Sequence, residues 1–211
     1  MNPVSVAILA GGQSERMGQD KAFLPVGGRP CIERAFDQVR PLSDDLIVVA
    51  NSPEPYRRWL ERPDLRRPAP RLVGDVFPGK GSLGGIYTAL DSARHGHCLV
   101  VACDMPFLKR DLLRHMIGLA PGFDAVVPVG EHGWETLHAV YGKACLGPFG
   151  RCLQAGRLRI RDCLAEVRVR LVEAAEVARF DPAFRSFLNM NTPADWEELR
   201  RLAGEANEGG A

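Results

Sequence analysis

The sequence predicts an α/β fold, a doubly wound and mostly parallel sheet in a single domain. Short apolar runs alternate with segments of helical apolar spacing along almost the whole chain. A glycine-rich turn follows the first run, and 211 residues at 45% hydrophobic content suffice for one sizeable core. Residues 4–9, Val-Ser-Val-Ala-Ile-Leu, have the length of one buried strand. Residues 31–40 set Ile32, Ala35, Phe36 and Val39 at helical spacing, and the apolar run at 46–50 is the second strand. A short helix at 56–62 and a polar, proline-rich connection at 63–70 lead to a strand at 71–73. Helix 83–94, strand 98–102, helix 110–120 and strand 125–128 continue the alternation. Strand 138–141, helix 144–155, strand 167–172 and helix 194–203 complete it. In such a sheet a ligand sits beyond the carboxyl ends of the strands, where the loops carry its contacts.

Composition narrows the function class. Lys and Arg total 27 against 26 Asp and Glu, a formal net charge of +1, so the overall balance calls for neither nucleic acid nor a membrane surface. The first apolar run is too short for a signal core and lacks a basic flank, and no segment approaches the ~18 apolar residues of a spanning helix. A cytoplasmic protein is expected. The six cysteines, at 31, 98, 103, 145, 152 and 163, form no C-x-x-C pair and read as reduced core thiols. His95-Gly-His97-Cys98 offers metal-ligand types without the usual zinc spacing. Residues 1–203 are expected to form the domain. Residues 204–211 have almost no apolar content to bury and are expected to be a disordered tail.

The chemistry concentrates in residues 9–21, Leu-Ala-Gly-Gly-Gln-Ser-Glu-Arg-Met-Gly-Gln-Asp-Lys. Gly11, Gly12 and Gly18 can adopt positive φ and bring backbone N–H groups to an anion, while Arg16 and Lys21 add positive charge. A nucleoside triphosphate is the natural occupant. The stretch is not a P-loop, because Gly18 is followed by Gln-Asp-Lys-Ala with the lysine displaced and no hydroxyl beside it. It is not a dinucleotide fingerprint either, because the glycine spacing differs.

The motif closely resembles the signature of the molybdopterin nucleotidyltransferases, and especially that of the molybdenum cofactor guanylyltransferases. Four further segments agree in order: Gly-Lys-Gly-Ser-Leu-Gly-Gly at 79–85, Val-Ala-Cys-Asp-Met-Pro at 101–106, Leu-His-Ala-Val-Tyr at 137–141 and Asn-Met-Asn-Thr-Pro at 189–193. The resemblance implies a sheet of the nucleotide-diphospho-sugar transferase, Rossmann-like type. It implies GTP and molybdopterin, or its molybdenum form, as substrates, with molybdoenzymes or their chaperones as further partners. Leu9, Ala10, Gly11 and Gly12 would line the nucleotide, Lys21 would contact its phosphates, and Asn51 and Asp75 would contact the nucleoside. Asn189 and Asn191 would orient the acceptor, and Asn191 or Thr192 also reads as the cap of the last helix, with Pro193 at its first position.

Attack of one phosphate on another demands charge neutralisation, alignment and a divalent cation. Asp104, at the end of the apolar run 98–103, is the expected ligand of Mg²⁺ or Mn²⁺, and one aspartate suffices when phosphates and water complete the shell. It is also an ordinary turn residue before Pro106. Arg16 and Lys21 are suited to stabilise the transferring phosphate. A carboxylate at Asp75 can accept from the N1–H and amine of guanine, or serve as a solvated turn group. Lys80, Gly81 and Ser82 are candidates for the acceptor site, as are Arg157, Arg159 and Arg161, which also read as a solvated charge run. The resembled family usually has proline where this chain has Ser82 and Thr136, and cytidylyl relatives generally have alanine at Gly11. A cytidylyl or sugar-1-phosphate nucleotidyltransferase, or a catalytically silent carrier of nucleotide or cofactor, remain as alternatives.

Overall fold

The structure, a computed structural model, describes residues 3–10, 20–65 and 69–208. Strand β1 (Ser5–Leu9) leads toward a 3-10 turn at Lys21–Phe23 and a small hairpin of β2 (Pro25–Val26) and β3 (Arg29–Pro30). Then come α1 (Cys31–Val39), β4 (Asp45–Val49), α2 (Pro53–Leu60), β5 (Arg71–Val73) and α3 (Gly81–Ser92). The second half holds β6 (His97–Ala102), α4 (Arg110–Leu119), β7 (Ala125–Gly130), β8 (Gly133–Trp134), β9 (His138–Gly142) and α5 (Leu146–Gln154). It closes with α6 (Ile160–Cys163), β10 (Val169–Val172), α7 (Ala174–Val177) and α8 (Pro193–Glu208).

The main sheet runs β10-β7-β9-β6-β1-β4-β5, with β8 paired to β7. Pairs β1–β4, β1–β6, β4–β5 and β7–β10 are parallel, and β9 is antiparallel between β6 and β7. Alternation along the strands divides the core between two faces. Val6 and Ile8 of β1 pack with α1, α2 and α4, whereas Ala7 faces the layer of α3 and α5. The doubly wound α/β reading therefore holds. Five of the six cysteines are buried, none is disulfide-bonded, and Cys103 packs against the core as a half-buried thiol. Among the described residues no helix is long and apolar enough to cross a membrane.

Several elements differ from the sequence reading. The β2–β3 hairpin turns through Gly27 (φ 57°) and Gly28 (φ 75°), the positive pair that a two-residue turn of this hand requires. Its strands are two residues long, too short for alternation to register. β8 escapes for the same reason. β10 begins at Val169, not at 167, and α3 begins at Gly81, so five of the seven residues of the second glycine-rich segment are helical. α8 runs to Glu208, past the helix end at 203 and into the segment read as a tail.

At the amino edge of the sheet, the buried Asp45 carboxylate gathers four elements. It accepts from Ser5 Oγ (2.6 Å), Arg71 Nη2 (2.8 Å) and the backbone N–H of Arg94 (2.9 Å). His95 pairs with Asp44 and His97 with the carbonyl of Phe123, so the histidines of that segment make polar contacts at this same edge.

Candidate active site

At the carboxyl edge, hydrogen bonds continue past the strands and bring their ends to one level. Ala10 N–H donates to Val49 O (2.8 Å), Ala50 N–H to Val73 O (3.0 Å), Cys103 N–H to Leu9 O (3.0 Å) and Ala102 N–H to Leu137 O (3.1 Å). The chain winds from β1 outward to β4 and β5, then returns to place β6 on the other side of β1. Strand order reverses between β1 and β6, which is where an open α/β sheet forms its ligand crevice. Leu9 and Ala10 lie on one side of that reversal and Asp104 on the other. Gly11, Gly12 and Arg16 fall outside the described residues.

Asp104 is half-buried and follows β6 directly. Desolvation pushes its pKa above the ordinary carboxylate value, while its own backbone N–H and the positive charge of Lys21 pull the other way. Burial thus removes part of the carboxylate's hydration, and Lys21 is within electrostatic reach. Such a group fits a hard divalent cation. No cluster of three or more His, Cys, Asp or Glu able to hold a metal exists among the described residues, so phosphate oxygens and water would complete the shell.

Lys21 begins the 3-10 turn and its ammonium donates to the Asn191 carbonyl (3.0 Å). The turn is fixed by Asp20, a residue absent from the site expected from sequence although it belongs to the motif. Its Oδ1 accepts from Ala22 N–H (3.1 Å) and its Oδ2 from the Tyr56 hydroxyl (2.6 Å). Asp20 thereby ties the end of the motif to α2.

On the β4–β5 side, Asn51 is exposed directly after Ala50, and Asp75 is half-buried two residues after Val73. Asp75 Oδ1 accepts from Phe77 N–H (2.9 Å) and Thr88 Oγ1 (2.8 Å), locking the loop that enters α3, while its Oδ2 makes no hydrogen bond among the described residues. Gly79 (φ 77°) and Gly81 (φ 61°) turn the chain around Lys80, and α3 starts without a side-chain cap. Ser82 lies in the first turn of α3, where proline is also tolerated, so its departure from the resembled family leaves the helix intact. Thr136 keeps its carbonyl in use, accepting from the Tyr141 hydroxyl (2.7 Å).

On the β6–β9–β7 side, Asn191 Nδ2 donates to Asn189 Oδ1 (2.9 Å). Thr192 caps α8: its Oγ1 accepts from Asp195 N–H, and Asp195 Oδ2 accepts in return from the N–H groups of Thr192 and Asn191. The cap aims the Asn191 carbonyl at Lys21. Arg157 and Arg159 are exposed, and the Arg161 guanidinium lies 4.7 Å from the centroid of the Trp134 ring. Glu135 and His138, which the sequence reading did not single out, also stand at this end. His138 is fully buried with neither ring nitrogen bonded among the described residues, and burial drives its pKa down to about 3.

The chain is similar to named relatives and to solved structures over nearly its whole length. Residues 6–171 match the model of the MobA-like NTP transferase domain. A molybdenum cofactor guanylyltransferase of Desulfosudis oleivorans is 38% identical, with 94% of this chain and 95% of the relative covered. A probable molybdenum cofactor guanylyltransferase of Pelotomaculum thermopropionicum is 35% identical over 96% and 94%. Among solved structures, the molybdopterin-guanine dinucleotide biosynthesis protein A of Archaeoglobus fulgidus superposes with a TM-score of 0.80 at 28% identity, covering 96% of this chain and 100% of that one. With the motif ends, Asp104 and Lys21 assembled at the strand reversal, the chain belongs to the MobA-like NTP transferase family.

Proposed function

We propose that this protein transfers GMP from GTP to the terminal phosphate of molybdopterin or its molybdenum form, releasing pyrophosphate. The observation that carries the reading is the half-buried Asp104 carboxylate just past β6 at the strand reversal, with the Lys21 ammonium in electrostatic reach. The names of the relatives at 35% and 38% identity support guanine as the base and molybdopterin as the acceptor.

GTP would lie across the β1 end of the crevice, against Leu9, Ala10, Gly11 and Gly12, with Asn51 and Asp75 at the nucleoside. Asp75 Oδ1 is already engaged, which leaves Oδ2 to accept from the guanine N1–H and amine. Arg16 and Lys21 meet the phosphates. Lysine carries three donors, so Lys21 can keep its bond to Asn191 while contacting a phosphate oxygen. A divalent cation, Mg²⁺ or Mn²⁺, would be held by Asp104 and would supply positive charge against the phosphates of both reactants. An oxygen of the acceptor phosphate forms a bond to the α-phosphorus of GTP, and the bond from that phosphorus to the bridging oxygen of pyrophosphate breaks. The attacking oxygen is already ionised at neutral pH, so no general base is required. Asn189 and Asn191 would orient the acceptor, and Lys80, Gly81 and Ser82, at the start of α3 beside the Asp75 loop, would reach its phosphate from across the crevice. The product would pass in the cytoplasm to molybdoenzymes or their chaperones.

The test is pyrophosphate release from GTP, CTP and ATP with magnesium, each with and without molybdopterin, and with a sugar 1-phosphate as control acceptor. Release is expected only with GTP and molybdopterin together. Release with CTP or with the sugar phosphate moves the function to another transferase, and tight GTP binding without release assigns a carrier.

A further inference from the structure

We propose that Glu135 is a specificity residue for the acceptor, its carboxylate receiving the paired ring N–H and amine donors of a 2-amino-4-oxopyrimidine, the end of a pterin. The inference deepens the transfer reaction proposed above and rests on it. Guanine and pterin present the same pair of N–H donors, so a site that uses both calls for a carboxylate on each side of the reacting phosphates. Asp75 stands beyond β5 on one side. Glu135 stands between the end of β7 and the start of β9 on the other, one to two strand spacings, about 5–10 Å, from the strand that carries Asp104.

The backbone holds Glu135 firmly: its N–H donates to Pro128 O (2.9 Å) and its carbonyl accepts from His138 N–H (3.1 Å). A β-carbon on Gly130 would stand 2.5 Å from Glu135 Oε1 and 3.1 Å from Phe187 Cδ2, so the carboxylate lies against bare glycine backbone beside the Phe187 ring. Phe187 packs edge-on against His138, with ring centroids 5.0 Å apart. Two residues beyond Phe187, Asn189 accepts from Asn191, whose carbonyl holds Lys21. Glu135 is therefore one end of a continuous wall whose other end is the phosphate-binding lysine. Half-buried, it makes no hydrogen bond or ion pair among the described residues, and the ring nitrogens of the buried His138, three residues on, are also unbonded there. Desolvation raises the Glu135 pKa and the charge of nearby His132 only partly offsets it, as expected of a carboxylate that lacks hydrogen-bond donors. A flat ring bearing two adjacent N–H groups supplies what this wall is missing.

Two variants test the assignment by steady-state formation of the guanine dinucleotide. Glu135→Gln keeps the shape but turns one acceptor into a donor that opposes the pterin amine. Gly130→Ala leaves the carboxylate intact and displaces it, because the nearest atom it strikes ends a flexible side chain, while the Phe187 ring need give by only a few tenths of an ångström. Both should raise the KM for molybdopterin about tenfold or more, with the KM for GTP and the thermal midpoint unchanged. A wild-type KM for molybdopterin in Glu135→Gln overturns the proposal, as does an equal rise in both KM values, which would mark a merely structural role. Should Gly130→Ala unfold, Glu135→Gln decides alone. Absence of product from the wild-type protein overturns the transfer reaction and this subsite together, and is thereby distinct from failure of the subsite alone.

Discussion

Asp104 and His138 show burial acting on ionisable groups in opposite directions, and each yields a measurable pH dependence. At Asp104 desolvation favours the protonated form, so the acid limb of activity should lie above the ordinary carboxylate value. A bound cation favours the ionised form. Raising the magnesium concentration should therefore move the acid limb of kcat/KM to lower pH, and an immobile limb would separate Asp104 from the metal. Asp104→Asn should lower kcat by about a hundredfold or more without lowering the thermal midpoint. At His138 the folded value of about 3 lies below the ordinary 6.5. The unfolded chain takes up a proton below pH 6.5 that the folded chain refuses, so this residue removes about 1.4 kcal/mol of stability per pH unit as pH falls from 6.5 toward 3. His138→Phe deletes that loss and also removes two unbonded buried nitrogens, which should stabilise the protein by about 1 kcal/mol at neutral pH. Thermal midpoints at pH 7.5 and 5.5 check both statements: the gap between variant and wild type should widen at the lower pH. The sequence placed His138 in a strand, but an unbonded imidazole is a property of its neighbours, above all Phe187, which arrives from far along the chain.

Helix α3 shows at the scale of an element what the motif spacing left undecided. The segment 79–85 was legible as a glycine-rich stretch at a strand end. Its glycines divide the work: Gly79 and Gly81 turn the chain, and Gly84 lets the helix close on the loop before it. A β-carbon at Gly84 would stand 2.8 Å from the Phe77 carbonyl oxygen and 3.1 Å from Asp75 Oδ2. Backbone cannot step aside as a side-chain tip can. Gly84→Ala is expected to cost about 1–3 kcal/mol, roughly 2–10 °C in thermal midpoint for a chain of this size, and to raise the KM for GTP by moving Asp75. A KM for GTP unchanged beside a lowered midpoint would detach the Asp75 loop from the nucleotide. The long apolar strands, the α/β alternation and the strand-end carboxylates were legible because burial on both faces writes itself into composition. The hairpin around Gly27 and Gly28 was not, since two-residue strands carry no period, although the Gly-Gly pair was its signal. Glu135 was not either: no motif marks it, and only the antiparallel insertion of β9 brings it to the edge that holds Asp104.

Across the whole molecule the sheet separates stability from chemistry by its two edges. The carboxyl edge gathers half-buried and incompletely bonded groups, Asp104, Glu135 and Asp75 Oδ2, and is the edge where the proposed function puts the ligands, at some expense of stability. The amino edge holds Asp45, 1% exposed and bonded by Ser5, Arg71 and the Arg94 backbone, and it joins β1, β4, β5 and the turn that enters β6. Burial pushes the Asp45 pKa up, but the Ser5 hydroxyl, the Arg94 N–H and Arg71 outweigh it, so the net shift is downward. The stability it contributes is present above the ordinary carboxylate pKa and is lost as pH falls below it. Asp45→Ala should strand those donors and cost about 3 kcal/mol or more, lowering the thermal midpoint at pH 7 by roughly 6 °C or more. The midpoints of wild type and variant should approach each other at pH 3, where the carboxylate is increasingly protonated. Because the residue lies a full strand length from the crevice, kcat and both KM values measured well below the midpoint should equal those of the wild type. A fall in kcat with the midpoint preserved would show that the two edges are coupled, and that the sheet transmits strain along its strands to Asp104.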